Sequence, residues 1–306
     1  MPAAHYSDTV DSFVGSMDGE SSGVDVDAGS DDTQASQHDT YAALATTISA
    51  LRSYSSLRSL TLHHTDVGCN PTLCEEFGRA LACHSQLEKL TLDQNSFCDD
   101  GLAALLCNME GLSCLSDLCI VESVAFESTA ALAIVLPSFK SLRALSLTHF
   151  QPMFFDNPEG RALFQAVELV PNLELLTLHS CHLNEVAAWC LAQTFRCMAS
   201  LREVNLSSNE LMGNCGVSQI ARSLSKIPTL EKVNLTDVGA TMRGVKAIGW
   251  YFKRHKQIQE CWVSQRGLEQ DTNALEVQRR KFREKWPWLL LYPSSYGFGV
   301  CPFQVV

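Results

Sequence analysis

Residues Leu57-Arg-Ser-Leu60-Thr-Leu62-His-His-Thr65 have the form L-x-x-L-x-L-x-x-T. Alternation at the fourth and sixth positions marks a short strand with one apolar face. The pattern recurs at Leu87-Leu90-Leu92-Asn95, Leu115-Leu118-Ile120-Ser123, Leu142-Leu145-Leu147-Phe150, Leu173-Leu176-Leu178-Cys181 and Leu201-Val204-Leu206-Asn209. Two weaker copies follow, Leu230-Val233-Leu235-Val238 and Ile258-Cys261-Val263-Arg266. Successive first positions lie 30, 28, 27, 31, 28, 29 and 28 residues apart. Chance does not hold eight copies in such register, so the chain is a repeat protein.

Amphipathic helical patterns fill the intervals, as in Gly101-Leu105-Met109, Gly216-Ile220-Leu224 and Gly244-Ile248-Phe252. Asn157-Pro158-Glu159 is a helix start, with Asn as N-cap and Pro at the first helical position. One strand and one helix per repeat gives an α/β solenoid, a curved horseshoe with parallel strands concave and helices convex. Residues 40–56 (Tyr41, Leu44, Ile48, Leu51) form an N-terminal capping helix, and eight repeats fill 57–268. Residues 269–306 form a C-terminal helix, from about Asp271 to Lys285, and a degenerate ninth repeat. That repeat begins near Leu289, because Lys285-Trp-Pro-Trp-Leu289 echoes Lys226-Ile-Pro-Thr-Leu230.

The repeat resembles the leucine-rich repeat family, in particular its ribonuclease-inhibitor-like subtype, across residues 57–268. The resemblance implies that the ninth position carries an Asn bridging neighbouring backbones. Asn95 and Asn209 keep it, and Thr65 and Cys181 are familiar substitutes. Phe150, Val238 and Arg266 depart from it, so irregular turns are expected there.

The chain has 306 residues, of which 46% are apolar, a globular composition. Its formal charge of −11 is uneven: residues 1–39 hold eight Asp and one Glu with no Lys or Arg. That acidic, Ser- and Gly-rich segment shows no apolar periodicity and reads as a disordered tail. The near-neutral remainder gives no general electrostatic case for nucleic acid. No apolar stretch approaches the roughly 20 residues that span a bilayer, and no secretory signal is evident. Thirteen scattered Cys without a C-x-x-C pair point to reduced thiols in the cytoplasm or nucleus.

With Leu60 and Leu62 inward, Ser59, Thr61 and His63 face the concave side. Extended through the repeats, the middle column reads Thr61, Thr91, Cys119, Ser146, Thr177, Asn205, Asn234, Trp262. The column beside it runs from His63 and Asp93 through Thr148 and His179 to Ser264. Most of this face is small and polar, and Trp262 stands out as a contact residue or as packing for the cap. Glu203, Lys232 and Glu260 read as a solvated charge ladder. His149 and His179 can approach across neighbouring strands, but two donors without a third do not make a metal site.

No nucleotide-binding, nucleophile-elbow or zinc-protease motif is present, so neither catalysis nor a cofactor is expected. The Asn205-Leu-Ser and Asn234-Leu-Thr sequons are strand residues. The cluster Arg279, Arg280, Lys281, Arg283 and Lys285 is a solvated helix face, with an anionic partner or the acidic tail as sharper alternatives. Phe150 should turn inward, whereas Met153, Phe154 and Phe155 crowd a tight turn, where at least one should be exposed. The expected function is a non-catalytic protein-protein interaction module or adaptor. It would bind a protein partner through the concave face and one solenoid edge, with Met153, Phe154, Phe155, His149, His179 and Trp262 as candidate contacts. The subtype also implies two alternatives: a GTPase-activating-type regulator of a small GTPase, or a stand-alone sensor fragment of an immune-type receptor.

Overall fold

The computed structural model describes residues 23–27, 45–46, 48–53, 57–63, 70–95, 97–121, 126–150, 158–264 and 272–292. Ten strands form one open sheet in sequence order, every neighbouring pair parallel. They are β1 Gly23–Asp27, β2 Ser59–His63, β3 Lys89–Asp93, β4 Asp117–Val121, β5 Ala144–Thr148, β6 Leu175–His179, β7 Glu203–Asn205, β8 Lys232–Leu235, β9 Glu260–Ser264 and β10 Leu289–Tyr292. A first helix, α1, covers 45–46 and 48–53, with Ile48 and Leu51 buried. The others are α2 Pro71–Ala82, α3 Asp99–Cys107, α4 Phe126–Val135, α5 Pro158–Glu168, α6 Glu185–Thr194, α7 Gly213–Leu224, α8 Met242–Phe252 and α9 Thr272–Lys285.

Strands β2 to β9 begin two residues after the first leucine of each copy, as the spacing requires. The fourth- and sixth-position residues, from Leu60 and Leu62 to Cys261 and Val263, are at most 3% exposed. They meet the inner helix faces, for instance Val217, Ile220 and Leu224 of α7. Each buried Leu side chain is worth about 1.5–3 kcal/mol, so the ladder is the main source of cohesion. Side-chain caps set the helix starts. Asn70 Oδ1 accepts from the backbone N–H groups of Thr72 and Leu73 before α2, and Asn184 Oδ1 accepts from Ala187 before α6.

The ninth-position Asn residues bridge as the resemblance implies. Asn209 Nδ2 donates to Leu178 O at 2.8 Å, and its Oδ1 accepts from the N–H of Cys181 and Leu183, both at 3.0 Å. Asn95 Nδ2 donates to Leu62 O at 2.9 Å, and the Cys181 thiol reaches the equivalent carbonyl of Leu147 at 3.3 Å.

Among the described residues, the backbone leading into Phe150 and Val238 does not show the irregularity expected there. The residue before the ninth position is left-handed whether or not Asn follows, with φ of 52° at Gln94, 59° at His149, 53° at Ser180, 58° at Ser208 and 53° at Asp237. Polar residues that tolerate this region set the turn, while the ninth side chain only fills the space beneath. Phe150 and Val238 are both fully buried. Arg266 lies outside the described residues.

Two boundaries also differ from the sequence reading. Gly23–Asp27, inside the segment read as a disordered tail, pairs with β2, Val24 opposite Leu60 and Val26 opposite Leu62. The open edge of β2 supplies backbone partners, and the alternation Gly-Val-Asp-Val-Asp continues the leucine register. The rest of 1–39 lies outside the described residues. At the other end, β10 starts at Leu289 itself, opposite Cys261, without the two residues that separate turn from strand in full repeats. Trp286 fills the space instead. It is 4% exposed, and a Cβ on Gly249 of α8 would come within 2.5 Å of three of its ring atoms. Gly249 is therefore the recess that admits the indole.

Candidate partner-binding site

The strand register reproduces the concave columns. Thr61, Thr91, Cys119, Ser146, Thr177, Asn205, Asn234 and Trp262 are successive cross-strand neighbours. Exposure along the column is graded: Thr61, Thr91, Cys119 and Ser146 are half-buried, whereas Thr177, Asn205, Asn234 and Trp262 are buried. Trp262 retains 8% of its surface, which favours packing for the end of the solenoid over an open contact. Asn205 and Asn234 use Oδ1 to accept from the N–H and hydroxyl of Ser207 and Thr236 respectively. Both sequons are thus buried in strand hydrogen bonding.

His149 and His179 do come together. Their ring centroids are 5.5 Å apart, edge to face at 76°. His149 is exposed at the left-handed turn after β5, and its N–H donates to His179 O at 3.1 Å. His179 ends β6 with Nδ1 at 2.8 Å from Ser207 Oγ. Ser207 commits its hydroxyl hydrogen to Asn205 Oδ1 at 2.7 Å, so Nδ1–H is the donor and Nε2 is left as an acceptor. Burial, then the His149 charge, hold the His179 imidazole below its ordinary value, against smaller raising effects of Ser207 and Asp237. His179 is therefore a neutral acceptor at neutral pH. Cys181 is no third metal donor: it is buried, its thiol pushed up to about 12 by burial. No group of three His, Cys, Asp or Glu suited to a metal occurs among the described residues. Met153, Phe154 and Phe155, the candidate contacts following His149, lie outside the described residues.

At the opposite end of the column His63 Nδ1 lies 3.0 Å from Asp93 Oδ2, and Asp27 is the register neighbour of His63. Asp25 and Asp27, register neighbours of Thr61 and His63, were missed, although the Val–Asp alternation of Gly23–Asp27 carried the signal. Cys119 has its thiol raised by burial, with a smaller contribution from Asp93 beyond an opposing Ser146 hydrogen bond.

Of the expected ladder, Lys232 pairs with Glu203 at 2.9 Å, and no ion pair joins Lys232 to Glu260 among the described residues. A longer one went unread at the second repeat position, where Arg143, Glu174, Arg202 and Glu231 alternate. Arg143–Glu174 is 3.1 Å, Glu174–Arg202 3.6 Å and Arg202–Glu231 3.2 Å. All are partly exposed, so each is worth little alone.

The basic cluster of α9 is largely committed. Arg279 Nε donates to Leu291 O at 2.8 Å and pairs with Glu276, Arg280 pairs with Glu284, and Lys285 sits 4.7 Å above the Trp286 ring. Lys281 and Arg283 remain exposed. A contact with the acidic tail of the same chain conflicts with the topology where that tail is described, since β1 and α9 lie at opposite ends of the sheet.

Strand-and-helix repeats, the inward leucine ladder and the bridging ninth-position Asn make the chain a leucine-rich-repeat solenoid, similar to the ribonuclease-inhibitor-like subtype. Relatives of similar sequence agree. The chain is 30% identical over 191 residues to the ribonuclease inhibitor of Mus musculus, covering 60% of this chain and 40% of that protein. It is 28% identical over 214 residues to the ribonuclease inhibitor of Sus scrofa, covering 66% and 44%. The chain thus spans less than half the length of these relatives. No family model matches. Among solved structures, a chain of the yeast Rad7 and Elc1 complex aligns with a TM-score of 0.44 at 16% identity, covering 80% of this chain and 67% of that one. No helix among the described residues is long and apolar enough to cross a membrane.

Proposed function

We propose that the protein is a non-catalytic interaction module of the cytoplasm. In this reading it binds a protein partner through the concave face and the solenoid edge carrying His149 and the adjacent Met153, Phe154 and Phe155. The observation that carries the reading is the His149–His179 pair, an exposed ring and a half-buried neutral one on an otherwise small, polar concave surface. Such a surface admits a partner closely and gives it one oriented acceptor. The names of the relatives support it, since an inhibitor of ribonuclease acts on a protein. Affinity capture tests it, comparing the intact chain with a His149→Glu, Phe154→Ala variant under equal loading. A partner retained by the intact chain and lost from the variant supports the reading. Identical partners on both remove this site.

A further inference from the structure

Charge is divided along the solenoid axis. Residues 1–200 carry 8 Lys and Arg against 25 Asp and Glu, a net −17, whereas residues 201–306 carry 15 against 9, a net +6. Arg58, Arg79 and Arg143, in the first half, each meet a carboxylate. Toward the other end Arg196, Lys226 and Arg254 are exposed and have no carboxylate partner among the described residues. Together with Lys285, which rests on the Trp286 ring, they mark successive helix C-terminal ends. Arg196, Lys226 and Arg254 each stand two residues after the last residue of α6, α7 and α8, namely Thr194, Leu224 and Phe252, and Lys285 is the last residue of α9. Four successive helix-to-strand turns therefore present a cation on the same edge. A cation near a helix C-terminus is favourable in itself, but that accounts for single residues and not for the flanking exposed Lys253 and Lys256. Between Arg196 and Lys226 the edge opens into a cleft of about 180 Å³ with Phe195, Met198, Ala199, Ile227 and Pro228 in its walls.

We propose that this row is the docking surface for the acidic segment 1–39 of a second copy, joining molecules head to tail. The occupant follows from charge complementarity and placement. Outside β1, residues 1–39 hold seven acids and no Lys or Arg, and the small Ser and Gly residues among them suit a close approach to the cleft. Within one chain that segment is anchored by β1 at the first strand of the sheet, while the row ends beside β10, the last. Nine interstrand steps of about 4.8 Å put roughly 43 Å between those strands along the sheet. A second molecule brings an acidic segment to the row without crossing that distance. The contact is heterologous, because docking leaves one free row and one free acidic segment on the assembly. Exposed charges carry it, so salt weakens it: the screening length is only about 8 Å at physiological ionic strength.

Sedimentation velocity of the full chain, over a concentration series at low and high salt, tests the proposal. One variant combines Arg196→Glu, Lys226→Glu and Arg254→Glu. The other converts Asp8, Asp11, Asp18, Asp31 and Asp32 to Asn. All three reversed residues are exposed, and an unchanged urea midpoint verifies that folding is retained. The intact chain is expected to associate at low salt and to dissociate at least tenfold more readily at high salt. Each variant alone should be monomeric, and an equimolar mixture should form a dimer and nothing larger, because each variant keeps one of the two surfaces. A chain that is monomeric at every salt concentration overturns the proposal, as does association indifferent to the reversals or a mixture that stays monomeric. Capture of a single-stranded oligonucleotide by the row, with self-association untouched in the Asp→Asn variant, would assign the surface to nucleic acid instead.

Discussion

Asn209→Ala tests how neighbouring repeats are joined. The side chain is fully buried, and its Oδ1 is the acceptor for two buried backbone N–H groups, those of Cys181 and Leu183. Its Nδ2 meets the carbonyls of Leu178 and Leu206 at 2.8 Å. Alanine leaves both N–H groups unpaired in a space too tight for relaxation. At about 1–3 kcal/mol for each of the two stranded buried groups, the expected loss is about 2–6 kcal/mol. That is a large share of the roughly 5–15 kcal/mol that holds an ordinary domain together. Urea unfolding gives the total, and hydrogen exchange locates it: the amides of Cys181 and Leu183 should lose protection before those of β2 and β3. Asn184→Ala, which removes only the α6 cap, should cost about 1 kcal/mol. A loss below about 1 kcal/mol for Asn209→Ala, with both amides still protected, would refute the bridging argument.

Gly249→Ala should destabilise by about 1–3 kcal/mol, because the added methyl meets the rigid Trp286 ring; adding Trp286→Leu should recover part of that loss in thermal melts. Burial keeps Cys74, Cys181 and Cys261 from thiol reagents. Alkylation at mild pH followed by peptide mapping should label Cys83, Cys98, Cys107, Cys197 and Cys215 and reach those three only in denaturant. For His179 the folded value is lowered, so its contribution to stability is complete above the unfolded value, about 6.5, and is lost as pH falls through the folded one. His179→Gln should therefore flatten the decline in urea midpoint below about pH 6.5, and an unchanged slope would contradict the assignment.

The solenoid was legible because its core is written twice, in the two-residue alternation of each strand and in the repeat spacing. Both signals place Leu60, Leu90 and their equivalents without reference to any contact. The ninth position misled for a definite reason. The Asn is conspicuous, whereas the turn is entered through the residue before it, whose left-handed φ recurs before Phe150 and Val238. Strand β1 escaped because five residues have no helix or leucine series beside them, and their pairing depends on an edge that only the fold creates. The same limit governs the candidate site. Cross-strand columns brought His149 within reach of His179, but the tautomer and the lowered imidazole depend on Ser207, Asn205 and burial, which no spacing rule encodes. The second-position ion ladder was present in the residue after each first leucine, unread because that position faces neither the core nor the concave sheet.

The most direct test of the interaction reading is photocrosslinking from single sites. A photoreactive residue at position 149 lies on the proposed concave edge, and one at Ile134 lies on exposed α4, 69% accessible on the convex side. The account predicts that a protein partner retained by the intact chain crosslinks from position 149 and not from position 134. Crosslinking of that partner from 134 alone would contradict it.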